Sequence, residues 1–341
     1  MSKPTFTPVH VSARDIPPPS TISPAAQKVL SDGALTPRMT WPSPDDKDAW
    51  RKQIAAGEAL REQMAATMLA GVRARVETIR IAGVPCYDCV ASGGARGDGV
   101  PGDGAHGACA PGDGAIYLFV HGGAFVVGAG AFAKAQGARY ADAIDVRTVS
   151  VDYRMPPDHP FPAAPEDCVA VYKALIETVD PKRVVIGGSS AGGNIAAAAT
   201  LMIRDRGLPL PAGTVLLTPE VDLTESGDTF RTNESLDVVL KGGLPDCNAL
   251  YANGHDLRDP YLSPLFGDFT KGFPPTLVQS GTRDLFLSNS VRIHRKLRDA
   301  GIDAELHVWE AMPHGGFIPG DAPENAEIQV EVARFIRRVV G

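Results

Sequence analysis

Ser190 lies in the run Gly188-Ser189-Ser190-Ala191-Gly192, with glycine two positions away on either side. The β-branched stretch Val184-Val185-Ile186 leads into it, and an alanine-rich stretch from Ile195 to Thr200 follows almost at once. A chain that turns from strand to helix in so few residues must strain its central residue, and only residues without bulk fit two positions away. The strain exposes the hydroxyl at the carboxyl edge of a sheet. It also places it at the amino end of a helix, whose dipole favours developing negative charge. The chemistry open to such a serine is nucleophilic attack on a carbonyl. Five-residue patterns recur by chance, so the reading depends on partners elsewhere in the chain.

A serine hydroxyl needs a base, an acid to orient that base, and donors for the oxyanion. His121-Gly122-Gly123 follows the apolar run Ile116 to Val120. Glycines at a strand end let backbone N–H groups approach a carbonyl oxygen closely, so Gly122, Gly123 and Ala191 are the expected oxyanion donors. His121 adjoins that loop and precedes Ser190, which suits it to pin the loop rather than act as base. His314, in Met312-Pro313-His314-Gly315-Gly316-Phe317, follows the last strand and precedes the last helix, where the order Ser, acid, His puts the base. Two carboxylates follow strands, Asp222 and Asp284. Asp284 lies thirty residues before His314, which leaves room for one helix and one strand, and it is the expected acid. Asp222 opens the region after its strand, where a carboxylate can cap a helix or pin a lid.

The elements that must position these groups alternate. Strands are expected at 75–82, 85–91, 116–120, 147–151, 183–186, 214–217, 276–279 and 306–309, with helices near 133–144, 163–178 and 323–339 and a helical run through the alanine-rich 195–200. From residue 116 onward this implies an α/β fold with a mostly parallel sheet flanked by helices. The region from Val221 to about Phe273 lacks the alternation, so a lid insertion is expected at about 222–273. Residues 1–72 read as an N-terminal helical segment: an extended arm, a short helix from Pro24 to about Leu30, and one long helix from Pro44-Asp45-Asp46 to about Val72. The catalytic domain is then 73–341. Residues 92–114 are glycine-rich and cannot bury apolar area against the entropy of ordering them, so a long flexible loop and a tolerated insertion are expected.

A net charge of −7 argues against nucleic acid or an anionic membrane as partner. The opening residues have no apolar signal region and no run approaches membrane-spanning length, so a cytoplasmic location is expected. The five cysteines are an odd, scattered set; Cys86 and Cys89 sit three apart on a strand, where they point to opposite faces. No metal site and no cofactor is expected.

Taken together, His121-Gly122-Gly123, the stretch Asp152-Tyr153-Arg154-Met155-Pro156-Pro157-Asp158-His159-Pro160-Phe161-Pro162-Ala163-Ala164, Gly188 to Asn194, Asp284 and His314 resemble the hormone-sensitive-lipase-like family of α/β-hydrolase esterases. The long second stretch has no catalytic reading from physics, yet it is the most family-specific. The resemblance runs from about residue 75 to the end. It implies an eight-stranded sheet, a helical cap from the N-terminus and the insertion, and carboxylic-ester substrates. Three departures stand out: Ser189 where the family usually has Asp or Thr, Ala124 in place of a third oxyanion-loop glycine, and the length of the 92–114 segment.

The expected activity is that of a serine carboxylesterase acting on small to medium apolar esters or lactones through an acyl-enzyme. The expected partners are a small-molecule ester and at most a second copy of the chain in a homodimer. A non-catalytic receptor on the same fold is the rival reading, but such proteins tend to lose the base, and His314 is present. A peptidase would need a peptide-gating domain, and none is evident. Acyl length, the alcohol and the choice between ester and lactone depend on cap residues outside any motif.

Overall fold

The computed structural model describes residues 7–91, 114–318 and 320–341, so the glycine-rich loop expected at 92–114 lies outside the described residues except for Gly114. Among the described residues eight strands form one sheet: β1 (Arg75–Ile81), β2 (Val84–Val90), β3 (Ile116–Val120), β4 (Arg147–Val151), β5 (Val184–Ser189), β6 (Gly213–Leu217), β7 (Thr276–Gly281) and β8 (Ala304–Trp309). Their order across the sheet is β1-β2-β4-β3-β5-β6-β7-β8. The pairings β1–β2 and β2–β4 are antiparallel and the rest are parallel. This is the α/β-hydrolase architecture expected from the sequence.

Ten helices accompany the sheet in the described residues. Three precede it: α1 (Pro24–Ala34), α2 (Lys47–Ala56) and α3 (Glu58–Leu69). The others are α4 (Ala131–Ile144), α5 (Ala163–Leu175), α6 (Ala191–Asp205), α7 (Thr229–Thr232), α8 (Pro245–Ala252), α9 (Leu287–Asp299) and α10 (Pro323–Val340). The single long helix expected before residue 72 is two helices. Gly57 ends α2 and starts α3, because its N–H closes onto Gln53 while its carbonyl accepts from Arg61. A residue that favours neither helix end nor helix interior by side chain leaves the break to backbone entropy.

The central strands are apolar on both faces because both faces are covered. Along β3, Ile116, Leu118 and Val120 enter one core with Val184 and Ile186 of β5 and the buried side of α5 and α6. Tyr117 and Phe119 enter the other, with Val185, Val215, Leu277 and Phe335 and Ile336 of α10. Cys86 and Cys89 fall into different clusters, as their spacing requires, and burial pushes both thiols up to about 12. A third cluster lies over the carboxyl ends of the strands. It joins Trp50 of α2 to Val126 after β3, Phe230 of α7, Leu244 and Leu250 around α8, and Leu285 and Phe286 after β7. No helix among the described residues is long and apolar enough to cross a membrane.

Candidate active site

The functional side chains sit on loops that leave the carboxyl ends of β3, β5, β7 and β8, the edge at which open α/β sheets bind ligands. Ser190 follows β5 directly with φ 59° and ψ −124°, the strained conformation expected of a sharp strand-to-helix turn. The close approach that demands glycine is visible at Gly192, where a Cβ would stand 2.1 Å from the Val120 carbonyl oxygen and 2.4 Å from that of His121. At Gly188 a Cβ would meet Gly192 at 2.5 Å. Either side chain would force β3 and the turn apart.

Three of the predicted residues meet in one hydrogen-bonded line. Ser190 Oγ lies 2.8 Å from His314 Nε2, and His314 Nδ1 lies 3.1 Å from Asp284 Oδ1. The bonds assign the tautomer: Nδ1–H donates to the carboxylate and Nε2 is left to accept from the serine. Asp284 is fully buried, and its orientation is fixed by the Ser280 hydroxyl at 2.6 Å and the Phe286 N–H at 2.9 Å. The Phe286 ring meets the imidazole edge-on, 4.8 Å between centroids. His314 is 6% exposed, so an imidazolium formed there would face Asp284 with little solvent to screen it.

The oxyanion side is built on the same ridge. The N–H of Ser190 is engaged by the Leu217 carbonyl at 2.8 Å, so the next N–H along the chain beside the serine hydroxyl is that of Ala191. Ala191 is the first residue of α6, and its N–H has no intrahelical acceptor. Gly122 packs against the serine so closely that a Cβ would lie 3.3 Å from Ser190 Cβ. Gly123 has φ 134°, and a Cβ there would fall 1.9 Å from the Val127 carbonyl oxygen. The Gly123 carbonyl accepts from Val126 and Val127, which closes the loop into a turn. Ala124, the departure noted in the sequence, adopts φ 51°, so the chain keeps a glycine-like conformation without glycine.

His121 does not reach the serine line. It is buried and accepts Tyr153 as a stacked neighbour at 4.1 Å, and its Nδ1 lies 2.8 Å from the Gly122 carbonyl oxygen. Burial lowers its pKa against the pull of that carbonyl, so it stays neutral and holds the loop. The motif from Asp152 onward acquires its physical reading here. Asp152 accepts from Gly130 N–H and from Tyr87, Tyr153 donates to the His121 carbonyl at 3.0 Å, and Arg154 forks onto Asp167 of α5. It braces the oxyanion loop from beneath.

Asp222 lies apart from this line. It is buried and accepts from Thr224, Ser226 and Arg292. Burial works against its charge, but those hydrogen bonds outweigh it and hold the carboxyl below its ordinary range. Asp222→Asn is therefore expected to cost about 1–3 kcal/mol of stability, read by denaturant unfolding, and to leave the line through Ser190, His314 and Asp284 in place. The stabilisation is present above the ordinary carboxylate range and is lost as pH falls through the lowered value.

Sequence reading missed Asp237, which is fully buried between α7 and α8. It precedes no strand end and belongs to no motif, so nothing in the chain marked it. Atoms of Asp237, Asp284 and His314 lie within 4.8 Å of one another, the one such cluster among the described residues that could hold a metal ion. Their atoms already face N–H donors or each other: Asp237 accepts backbone N–H groups of Val239, Leu240, Leu285 and His314. The arrangement is that of a hydrogen-bond network.

Comparison with known proteins bears on the fold and family. A family model described as "alpha/beta hydrolase fold" matches residues 117–318. An acetyl-hydrolase of Streptomyces hygroscopicus is 35% identical over 199 residues, which cover 58% of this chain and 66% of that protein. An esterase of Acinetobacter venetianus is 32% identical over 196 residues, 57% of this chain and 64% of its own length. The matches thus span slightly less than two thirds of both relatives. Among solved structures, esterase E25 superposes with a TM-score of 0.82 at 32% identity, covering 97% of this chain and 98% of that one. An esterase from the bacterial hormone-sensitive lipase family gives 0.75 at 31% identity, covering 94% and 99%.

Proposed function

The chain belongs to the hormone-sensitive-lipase-like family of α/β-hydrolase esterases, and on that footing we propose that it is a serine carboxylesterase working through an acyl-enzyme. The observation that carries the reading is the line Ser190 Oγ, His314 Nε2, His314 Nδ1, Asp284 Oδ1 at 2.8 and 3.1 Å. Ser190 attacks the ester carbonyl as His314 takes its proton, and the Gly122, Gly123 and Ala191 N–H groups receive the oxyanion. His314 then protonates the leaving alcohol. In the second half the same imidazole draws a proton from water, which attacks the acyl-serine and releases the acid.

The N-terminal helices and the 222–273 region serve as the cap. Support comes from the apolar cluster that unites Trp50, Ala124, Val127, Leu240, Leu244 and Phe286 around the oxyanion loop and the acid loop. Such a wall suits small to medium apolar acyl or alcohol groups and disfavours charged ones.

Purified protein is expected to hydrolyse p-nitrophenyl esters of short and medium acyl chains, with a fall in kcat/KM as the chain lengthens beyond the cap. A panel of such esters with lactones of graded size measures this. Absence of turnover on every member, in protein that binds them, would favour the receptor reading instead.

A further inference from the structure

We propose that Asp237 is a positioning residue of the reaction, a second buried carboxylate by which the segment between α7 and α8 holds the base and the acid in register. The inference rests on the esterase reading above. It starts from connectivity. Asp237 Oδ2 accepts the Leu285 N–H at 2.8 Å, directly after the acid Asp284, and the His314 N–H at 3.2 Å. Oδ1 accepts from Val239 at 2.9 Å and Leu240 at 3.0 Å. One carboxylate thus ties its own turn to the loop after β7 and the loop after β8. Those two loops are also joined by the catalytic hydrogen bond itself, by the Arg283 N–H to the Met312 carbonyl, by the Ala311 N–H to the Thr282 hydroxyl at 2.7 Å and by the Thr282 N–H to the Trp309 carbonyl, but Asp237 is the side chain of the 237 turn that holds both.

Thr229 on α7 and Asn233 just after it bind the acid loop as well. Asn233 donates to the carbonyls of Thr282 and Asp284, and Thr229 donates to that of Leu285. Helix α7 and the segment after it therefore act on the acid loop through three side chains, but only Asp237 among them also reaches the base. Its charge matters as much as its bonds. The titratable groups that face it are His314 and Asp284, from the base loop and the acid loop. Lys241 on its own segment is held away by the carbonyls of Ala34 and Thr36. On α1, packed nearby through Val238 and Gly33, Lys28 is paired with Asp32 in solvent.

Burial foremost, together with Asp284, raises the Asp237 carboxyl from 3.8 to about 6. In linkage terms a raised carboxyl stabilises the fold below about pH 4, and that contribution is lost as pH rises through about 6. Above pH 6 the ionised group does not stabilise the fold by its charge. Its place beside an imidazole that becomes cationic in the transition state gives that charge a use.

The test measures kcat and KM on p-nitrophenyl acetate from pH 5 to 9 for the wild type, Asp237→Asn, Asp237→Ser and Asp237→Glu, with Ser190→Ala as the blank. Circular dichroism checks that each is folded. Asp237→Asn and Asp237→Ser are expected to lose about 10²-fold in kcat, as for a base displaced by about 1 Å, with KM within about threefold. Their acid limb should move to lower pH and become less steep, because one anion facing the imidazolium is gone. Asp237→Glu should keep the wild-type acid limb even where its kcat falls. Wild-type kcat in Asp237→Asn overturns the proposal. So does an equal loss of kcat in all three variants with the acid limb unmoved, or loss of fold in all three, since either leaves only packing. Failure of the wild type to turn over any ester would sink the esterase reading instead, and is told apart by the blank.

Discussion

Ser190→Ala is expected to lower ester turnover by roughly 10⁶-fold while leaving the fold in place. The loss is large because the remaining groups act as a unit: without the hydroxyl, the imidazole has no nucleophile to deprotonate and the oxyanion donors have no tetrahedral adduct to bind. The fold should survive because the backbone of the turn does not depend on the side chain. Ser190 N–H is held by Leu217, and its carbonyl accepts from Gly193 and Asn194. Alanine at φ 59° bears the same strain as serine, so the melting temperature should move by no more than a few degrees. Ser189, one residue earlier, is partly exposed at the end of β5, and its replacement by alanine should change the rate only modestly.

Asp284→Asn is the second large effect, a loss of roughly 10³–10⁴ in kcat. An amide is nearly the same shape as the carboxylate, and the Ser280 hydroxyl can turn to suit it. It carries no charge, however, so in a fully buried site the imidazolium loses the carboxylate that meets its Nδ1–H. If the amide nitrogen turns toward His314, the imidazole is driven into the wrong tautomer as well. Turnover at saturating substrate is the measurement, with Asp222→Asn as the control. A crippled Asp222→Asn beside an active Asp284→Asn would put the acid at the wrong strand end.

The strands and the turn at Ser190 were legible because their signals are local. β-Branched runs mark buried parallel strands, and a strained turn between strand and helix leaves glycines at fixed offsets. That Asp284 and His314 meet at one sheet edge was legible from chain order, since they follow the neighbouring strands β7 and β8. The break at Gly57 was not, because a single glycine inside an apolar stripe is tolerated as often as it interrupts. Asp237 was hidden for a different reason. Its role exists only once α7 and α8 fold back over the loops after β7 and β8, and no periodicity in 222–273 announces that contact. The motif from Asp152 to Ala164 stood between these cases. It was recognisable as a pattern, but its bracing of His121 through Tyr153 needed coordinates.

The central claim is that Ser190 carries the acyl group, and it can be tested without following turnover at all. The protein is treated with a p-nitrophenyl phosphonate ester, which transfers its phosphonyl group to an activated serine and releases p-nitrophenol in the same step. Intact mass and peptide mapping then locate the adduct. One phosphonyl group per chain on Ser190, formed in the wild type and absent from Ser190→Ala, is the predicted result. A stoichiometric adduct on any other residue, or full ester turnover that the reagent neither labels nor inhibits, would contradict it.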